Sequence, residues 1–349
     1  MDTPYISLKT PCLAFLPGTI VSFTQFSSSN FIQKRNSTMS LFYRWTQQSL
    51  LLLILFYLPT AQSLESDNFL KNSLREYYID FETSLHHGFS EQEYAESLSK
   101  KKQRNYLPML KQMYATSNFL TKLNDTPALK IPRIIHQIWL GGDLPENLKP
   151  YQESWKRFHP TWEYKLWTDE TIKEITLINQ AAFDAADTYH KKGVILRLEL
   201  LNQFGGMYVN TDVECFQSFE LLHNYYEFYA GIADISRATL VNNALIGATP
   251  HHPLIQACVE EIGSKDFPKK LHYYGRYYFC DTLMDACTNN PSIKLDTIIM
   301  LPPTYLYPAP TKRNNPSPYL NKIHSSFSMS YWHSNKRPNQ KSLPTGQNQ

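Results

Sequence analysis

The sequence predicts an α/β fold, a sheet with helices on both faces, and three stretches predict it. They are Pro132–Gly142 (PRIIHQIWLGG), Trp155–Asp169 (WKRFHPTWEYKLWTD) and Gly193–Glu214 (GVILRLELLNQFGGMYVNTDVE). In the first, Ile134, Ile135, Ile138 and Leu140 surround Trp139 as a buried strand that stops at a diglycine turn. In the second, Tyr164, Leu166 and Thr168 alternate with Lys165 and Trp167, a second strand, and Thr168 or Asp169 then caps a helix. In the third, a helix runs from about Val194 to Phe204, breaks at Gly205-Gly206 and gives way to the strand formers Met207, Tyr208 and Val209. Strand, helix, strand at this spacing implies a parallel sheet.

The chain has 349 residues, enough for one large domain or two ordinary ones. Its net charge of +3 is too mild for a nucleic-acid partner. Residues 1–38 read as a leader or an over-called start before Met39. Residues 39–63 read as a signal peptide: Arg44, then the apolar run Leu50–Leu58, then Pro59 and the small residues Ala61 and Ser63, with cleavage after Ser63. Nine apolar residues are too few to span a bilayer, which takes about 20. The expected localisation is the secretory pathway or export, with membrane association possible through this N-terminal region.

Residues 64–128 read as a helical segment, with a capping box at Ser90–Glu93. His86-His87 is no metal pair, since adjacent residues point to different faces of a helix. Five cysteines are too sparse for a disulfide framework, and with no C-x-x-C a zinc site is not expected. The core is expected over 129–337. Within it, Phe228–Gly231 and Ala244–Ala248 read as strands, Pro253–Gly263 as a helix with proline in its first turn, and Ile298–Pro308 as a strand into a proline-rich bend. His136 and His251-His252 read as core and loop residues. Residues 338–349 read as a disordered tail.

The chemistry concentrates in Gly193–Glu214. Arg197 shares a helical face with Leu200, Leu201 and Phe204, and an arginine on a buried stripe is costly unless an anion meets it. Where the next strand runs out, Asn210 and Asp212 alternate to one side and offer two oxygen-bearing groups to one point. Mg²⁺ or Mn²⁺ prefers such ligands and usually shares them with substrate phosphates. Trp139 and Asn210–Asp212 both lie at strand ends, where open α/β sheets bind ligands.

These residues resemble the signature of the DXD-containing glycosyltransferases of the Och1-like mannosyltransferase and large clostridial toxin type. That pattern is roughly D-x-x-R, about seven residues, then G-G-x-Y-x-D-x-D; here it reads Val194-x-x-Arg197 and Gly205-Gly206-Met207-Tyr208-Val209-Asn210-Thr211-Asp212. The opening strand and the W-x-x-x-x-P-x-W-x-Y-x-L-W-x-D run also match, so the resemblance covers about Ile131–Lys336. It implies a GT-A fold, a nucleotide-sugar donor, a glycan, protein or lipid acceptor, a Mn²⁺ or Mg²⁺ cofactor, and transfer of a hexose with retention. It also implies roles: Asp212 as direct metal ligand with Asn210 beside it, and Arg197 as a catalytic charge. Trp139 is to stack on the base, Asn243 to meet the sugar, and Tyr208 and Trp332 to complete the substrate contacts. Four positions depart from the pattern: Val194 and Asn210 replace aspartates, Ser330 a histidine and Lys336 a tryptophan. Those departures frame a rival expectation, a catalytically lapsed nucleotide- or sugar-binding relative.

Overall fold

The computed structural model describes residues 71–72, 75–76, 78–86, 101–233, 241–264, 275–309 and 326–331. The signal peptide, the Ser90–Glu93 capping box, the tail, and Trp332 and Lys336 lie outside these residues.

Among the described residues, eight strands form two sheets. They are β1 (Ile134–Ile138), β2 (Glu163–Trp167), β3 (Gly206–Val209), β4 (Val213–Cys215), β5 (Phe228–Ile232), β6 (Val241–Ala248), β7 (Ile298–Leu301) and β8 (Ser328–Ser330). The large sheet has the order β2-β1-β3-β6-β5-β7, and β4 pairs with β8 alone. β1 runs parallel to β2 and β3, and β5 parallel to β7, but β6 is antiparallel to both of its neighbours. The expected parallel sheet is therefore mixed. Reversing β6 brings its first residues to the edge where β1 and β3 end.

The helices flanking the sheets include α1 (Phe81–His86), α2 (Lys101–Thr116), α3 (Phe119–Lys122), α4 (Lys149–Phe158), α5 (Gln180–Ala185) and α6 (Tyr189–Phe204). They continue with α7 (Glu220–Tyr225), α8 (Pro253–Ile262), α9 (Gly275–Asn289) and α10 (Pro303–Leu306). Among the described residues no helix is long and apolar enough to cross a membrane. The leading helical segment is not a separate layer. Phe81, Leu85, Leu110, Met113 and Phe119 share one hydrophobic core with the sheet, and buried Ser84 bonds Thr304 of α10 at 2.8 Å.

The helix α6 starts five residues earlier than its apolar stripe suggests, because Thr188 caps it by accepting from the Lys191 amide at 3.2 Å. Gly193 to Asn202 are all buried, so α6 is a central helix rather than an amphipathic one. Ile195, Leu196, Leu198, Leu200 and Leu201 are each essentially sealed, and burial of such side chains stabilises by about 1.5–3 kcal/mol apiece. The polar member Glu199 is satisfied by the amides of Ile178 (2.9 Å) and Asn179 (2.8 Å). Gly205 and Gly206 then turn the chain with φ of 62° and 86°. A Cβ on Gly206 would stand 2.6 Å from the Ile134 carbonyl oxygen, so only glycine lets β3 slide in beside β1.

Candidate active site at the ends of β1 and β3

Trp139 follows β1 directly, and the Asn210–Asp212 turn follows β3. The parallel register Ile135↔Met207 and His136↔Tyr208 sets these two strand ends side by side. Trp139 is half-buried. Its amide donates to the Trp167 carbonyl at 2.9 Å, and two residues on the Gly141 amide donates to Asp169 Oδ2 at 2.7 Å. Asp169, expected as a helix cap, instead holds the loop that carries Trp139. The Tyr189 ring packs where a Gly141 Cβ would be, 2.4 Å away, which fixes the loop from below.

The turn itself is closed by the Val213 amide on the Asn210 carbonyl at 3.2 Å, and tied to β6 by the Asn210 amide on the Ala244 carbonyl at 2.8 Å. Asp212 and Thr211 are each 5% exposed, while Asn210 is half-buried. Tyr208, at 3% exposure, donates its hydroxyl to Asn210 Oδ1 at 2.9 Å. That bond orients the Asn210 side chain.

Arg197 comes to the same place from α6. Its Nη1 donates to the Asn243 carbonyl at 2.6 Å, its Nε to the Gly193 carbonyl at 3.1 Å, and its guanidinium lies 4.5 Å from the Tyr208 ring centre. Among the described residues no carboxylate pairs with it. The anion expected to meet a buried arginine is replaced by two carbonyl dipoles and a ring face, and its positive charge is left for the site. Asn243 serves this arginine through its main chain, with its side chain half-buried. Val194, one turn before Arg197, is 1% exposed and packs against Gly275, where an added Cβ would lie 2.6 Å from Val194 Cγ1. It offers no polar atom to a sugar.

His136 and His252 are structural. His136 bonds the Gly205 carbonyl at 3.0 Å and accepts from Trp167 Nε1 at 3.0 Å, and burial pushes it down to about 4. His252 caps α8, accepting from the Leu254 amide at 3.2 Å, and burial likewise lowers it to about 4.

Residues 86–338 match the family described as capsular polysaccharide synthesis protein. The chain belongs to that family. The match takes in every strand and all the site residues above. Inositol phosphoceramide mannosyltransferase 2 of Schizosaccharomyces pombe is 32% identical over 148 residues, 41% of this chain and 42% of that protein. A mannosyl phosphorylinositol ceramide synthase of Saccharomyces cerevisiae is 28% identical over 153 residues, 43% of this chain and 37% of its own. An uncharacterized glycosyltransferase of Acanthamoeba polyphaga mimivirus is 24% identical, covering 54% of this chain and 78% of that protein. The chain thus spans only about two-fifths of the length of the first two relatives. Among solved structures, the PaToxG glycosyltransferase is 16% identical over 56% of this chain and 80% of its own, with a TM-score of 0.38.

Family membership is consistent with the resemblance drawn from Gly193–Glu214, and the structure adds residues that local sequence did not single out. Tyr307 lies over Gly231, whose missing side chain makes room for the ring. Burial first, and then the nearby Asp212 and Tyr208, push its phenol upward, with Arg197 opposing. Tyr151, Glu214 and Tyr331 gather on the far side of the turn: Tyr331 Oη donates to Glu214 Oε2 at 2.5 Å, and its ring stacks on Tyr151 at 4.8 Å. The Tyr307-Pro308 pair could have been found, since it ends the proline-rich bend read over Ile298–Pro308. The Tyr151–Tyr331 contact joins residues far apart in sequence and carries no local signal.

Proposed function

We propose that this chain is a glycosyltransferase of GT-A type that moves a hexose from a nucleotide sugar to a glycan, protein or lipid acceptor, with retention at the anomeric carbon. The single observation that supports this best is convergence: Trp139, Arg197 and the Asn210–Asp212 turn arrive at one sheet edge from three separate elements. The mannosyltransferase relatives favour mannose as the hexose and an inositol-phosphate-bearing ceramide as the acceptor. Secretory-pathway residence follows from the signal peptide expected over residues 39–63.

In the reaction the bond from the anomeric carbon to the donor diphosphate breaks, a bond to the acceptor oxygen forms, and the acceptor's hydroxyl proton leaves with the nucleoside diphosphate. Trp139 would hold the base by its ring face. Arg197 would stabilise the leaving diphosphate, and fixed charge in a water-poor site is the largest contribution such a site can make. Asp212 and Asn210 would hold Mn²⁺ or Mg²⁺. Among the described residues no group of three His, Cys, Asp or Glu could cage a metal. One carboxylate and one amide oxygen are hard donors, which would suit a hard cation that completes its shell with water and substrate oxygens. Such a cation, when bound, neutralises charge on the diphosphate.

A second reading, a lapsed nucleotide-binding relative, is favoured by the apolar Val194 and by the neutral Asn210. Calorimetric titration of GDP and UDP, with and without Mn²⁺, tests what both readings share. Cation-enhanced binding of one nucleotide is expected; no binding of either would refute both.

A further inference from the structure

Asp212 is reached from two sides. The β3 strand delivers it from one, and from the other comes the segment Ser326–Tyr331, which the chain stitches down residue by residue. The Phe327 amide donates to the Tyr305 carbonyl at 2.8 Å, and the Phe216 amide to the Phe327 carbonyl at 2.8 Å. β8 then pairs with β4, Val213 opposite Ser330. The last stitch falls on the site itself, where the Tyr331 amide donates to the Asp212 carbonyl at 3.0 Å.

A two-stranded sheet of three residues a side is marginal in water by itself. Side chains reinforce this one at its end. The Tyr331 hydroxyl donates to Glu214 Oε2 at 2.5 Å, the length of a charge-assisted bond. The Tyr331 ring stacks on Tyr151 of α4 with 17° between the planes. The same helix holds β4 from behind: Trp155 Nε1 donates to the Val213 carbonyl at 2.8 Å, and the Cys215 amide donates to Ser154 Oγ at 2.9 Å.

We propose that Tyr331 is a positioning residue: clasped by Glu214 and Tyr151, it fixes the Asp212 turn through the Asp212 carbonyl and so sets the carboxylate for a divalent cation. The clasp rests on the glycosyltransferase reading above but adds to it a dependence on residues that touch neither donor nor cation. Tyr331→Phe keeps the stack and the backbone bond and removes only the hydroxyl. Tyr151→Leu removes the stack, and Glu214→Gln is the conservative control, because its amide oxygen can still accept from the phenol.

The test uses the full chain and Mn²⁺ with GDP as probes, with affinity read by calorimetry. Tyr331→Phe and Tyr151→Leu are expected to weaken Mn²⁺ about tenfold, with Glu214→Gln closer to wild type. GDP affinity without Mn²⁺ should be unchanged, a split that general destabilisation would not produce. Hydrogen exchange should also quicken together in the peptides covering 211–215 and 328–331. Mn²⁺ affinity equal to wild type in folded Tyr331→Phe and Tyr151→Leu would overturn the clasp while leaving the transferase reading intact. A wild-type chain that binds GDP but no Mn²⁺ would overturn both the cation assignment and the clasp.

Discussion

Replacing Arg197 by methionine keeps most of the buried apolar stem and removes the charge, which isolates what the guanidinium does. In the folded chain the loss is modest. The Asn243 carbonyl gives up a bond from a charged donor at 2.6 Å, about 1.5–3 kcal/mol, and the ring contact at 4.5 Å goes with it. Part of this is returned, because a buried charge no longer has to be desolvated. A net loss of roughly 1–3 kcal/mol leaves a folded protein. The effect on ligand is larger. A unit charge at roughly 6 Å from a phosphate, in a medium of effective dielectric about 20, contributes about 3 kcal/mol, or roughly a hundredfold in Kd. Arg197→Lys keeps the charge but can serve only one of the two carbonyls, so it should fall in stability while holding GDP within about fivefold of wild type. The assay is titration of GDP and UDP into each variant, alongside thermal unfolding. A folded Arg197→Met that binds as tightly as wild type would refute the electrostatic role.

Three further expectations follow from the same geometry. Trp139→Ala should weaken nucleoside diphosphate binding by roughly fivefold or more, as loss of base stacking does elsewhere, with unfolding unchanged; calorimetry on the folded variant decides it. Gly206→Ala puts a Cβ 2.6 Å from the Ile134 carbonyl oxygen at a φ of 86° and should cost about 4 kcal/mol or more, whereas Gly142→Ala, with a φ of 117° but open space around it, should carry only the backbone strain, about 1–3 kcal/mol; denaturant unfolding separates the two. Acid should destabilise the fold as pH falls from 6.5 towards 4. His136, His159 and His252 are held neutral by burial to about 4, so the unfolded chain takes up protons that the folded chain refuses. His252→Asn keeps the helix cap and removes one of these protons, so its melting temperature should fall less steeply across that window.

Strands and turns near Gly193–Glu214 were legible because their signals are local. An apolar run beside a diglycine, a period-two alternation and a Gly-Gly break each reflect backbone sterics that need no partner. The reversal of β6 was not legible, since strand direction is set by the path of the chain after β3 rather than by any side-chain pattern. The burial of α6 on all sides was hidden for a similar reason. Arg197 read as part of the buried stripe, where carbonyls and a ring do meet it, but nothing local showed that the amides of Ile178 and Asn179 would meet Glu199 inside the core. Asp169, one of two residues expected to cap a helix, holds the Gly141 amide instead, because a carboxylate reveals its partner only once the fold brings it there. The Tyr331 clasp left no mark in the sequence at all.

Release of free mannose from GDP-mannose, with and without Mn²⁺, by wild type, Asn210→Asp and Asp212→Asn tests the central claim most directly. Asp212 carries the turn's only carboxylate, so wild type should release sugar with Mn²⁺ and Asp212→Asn should not. Asn210→Asp adds a second negative charge and should lower the Mn²⁺ needed for half activity. Equal release by wild type and Asp212→Asn, or no release by wild type from GDP-mannose or UDP-glucose, would contradict the account.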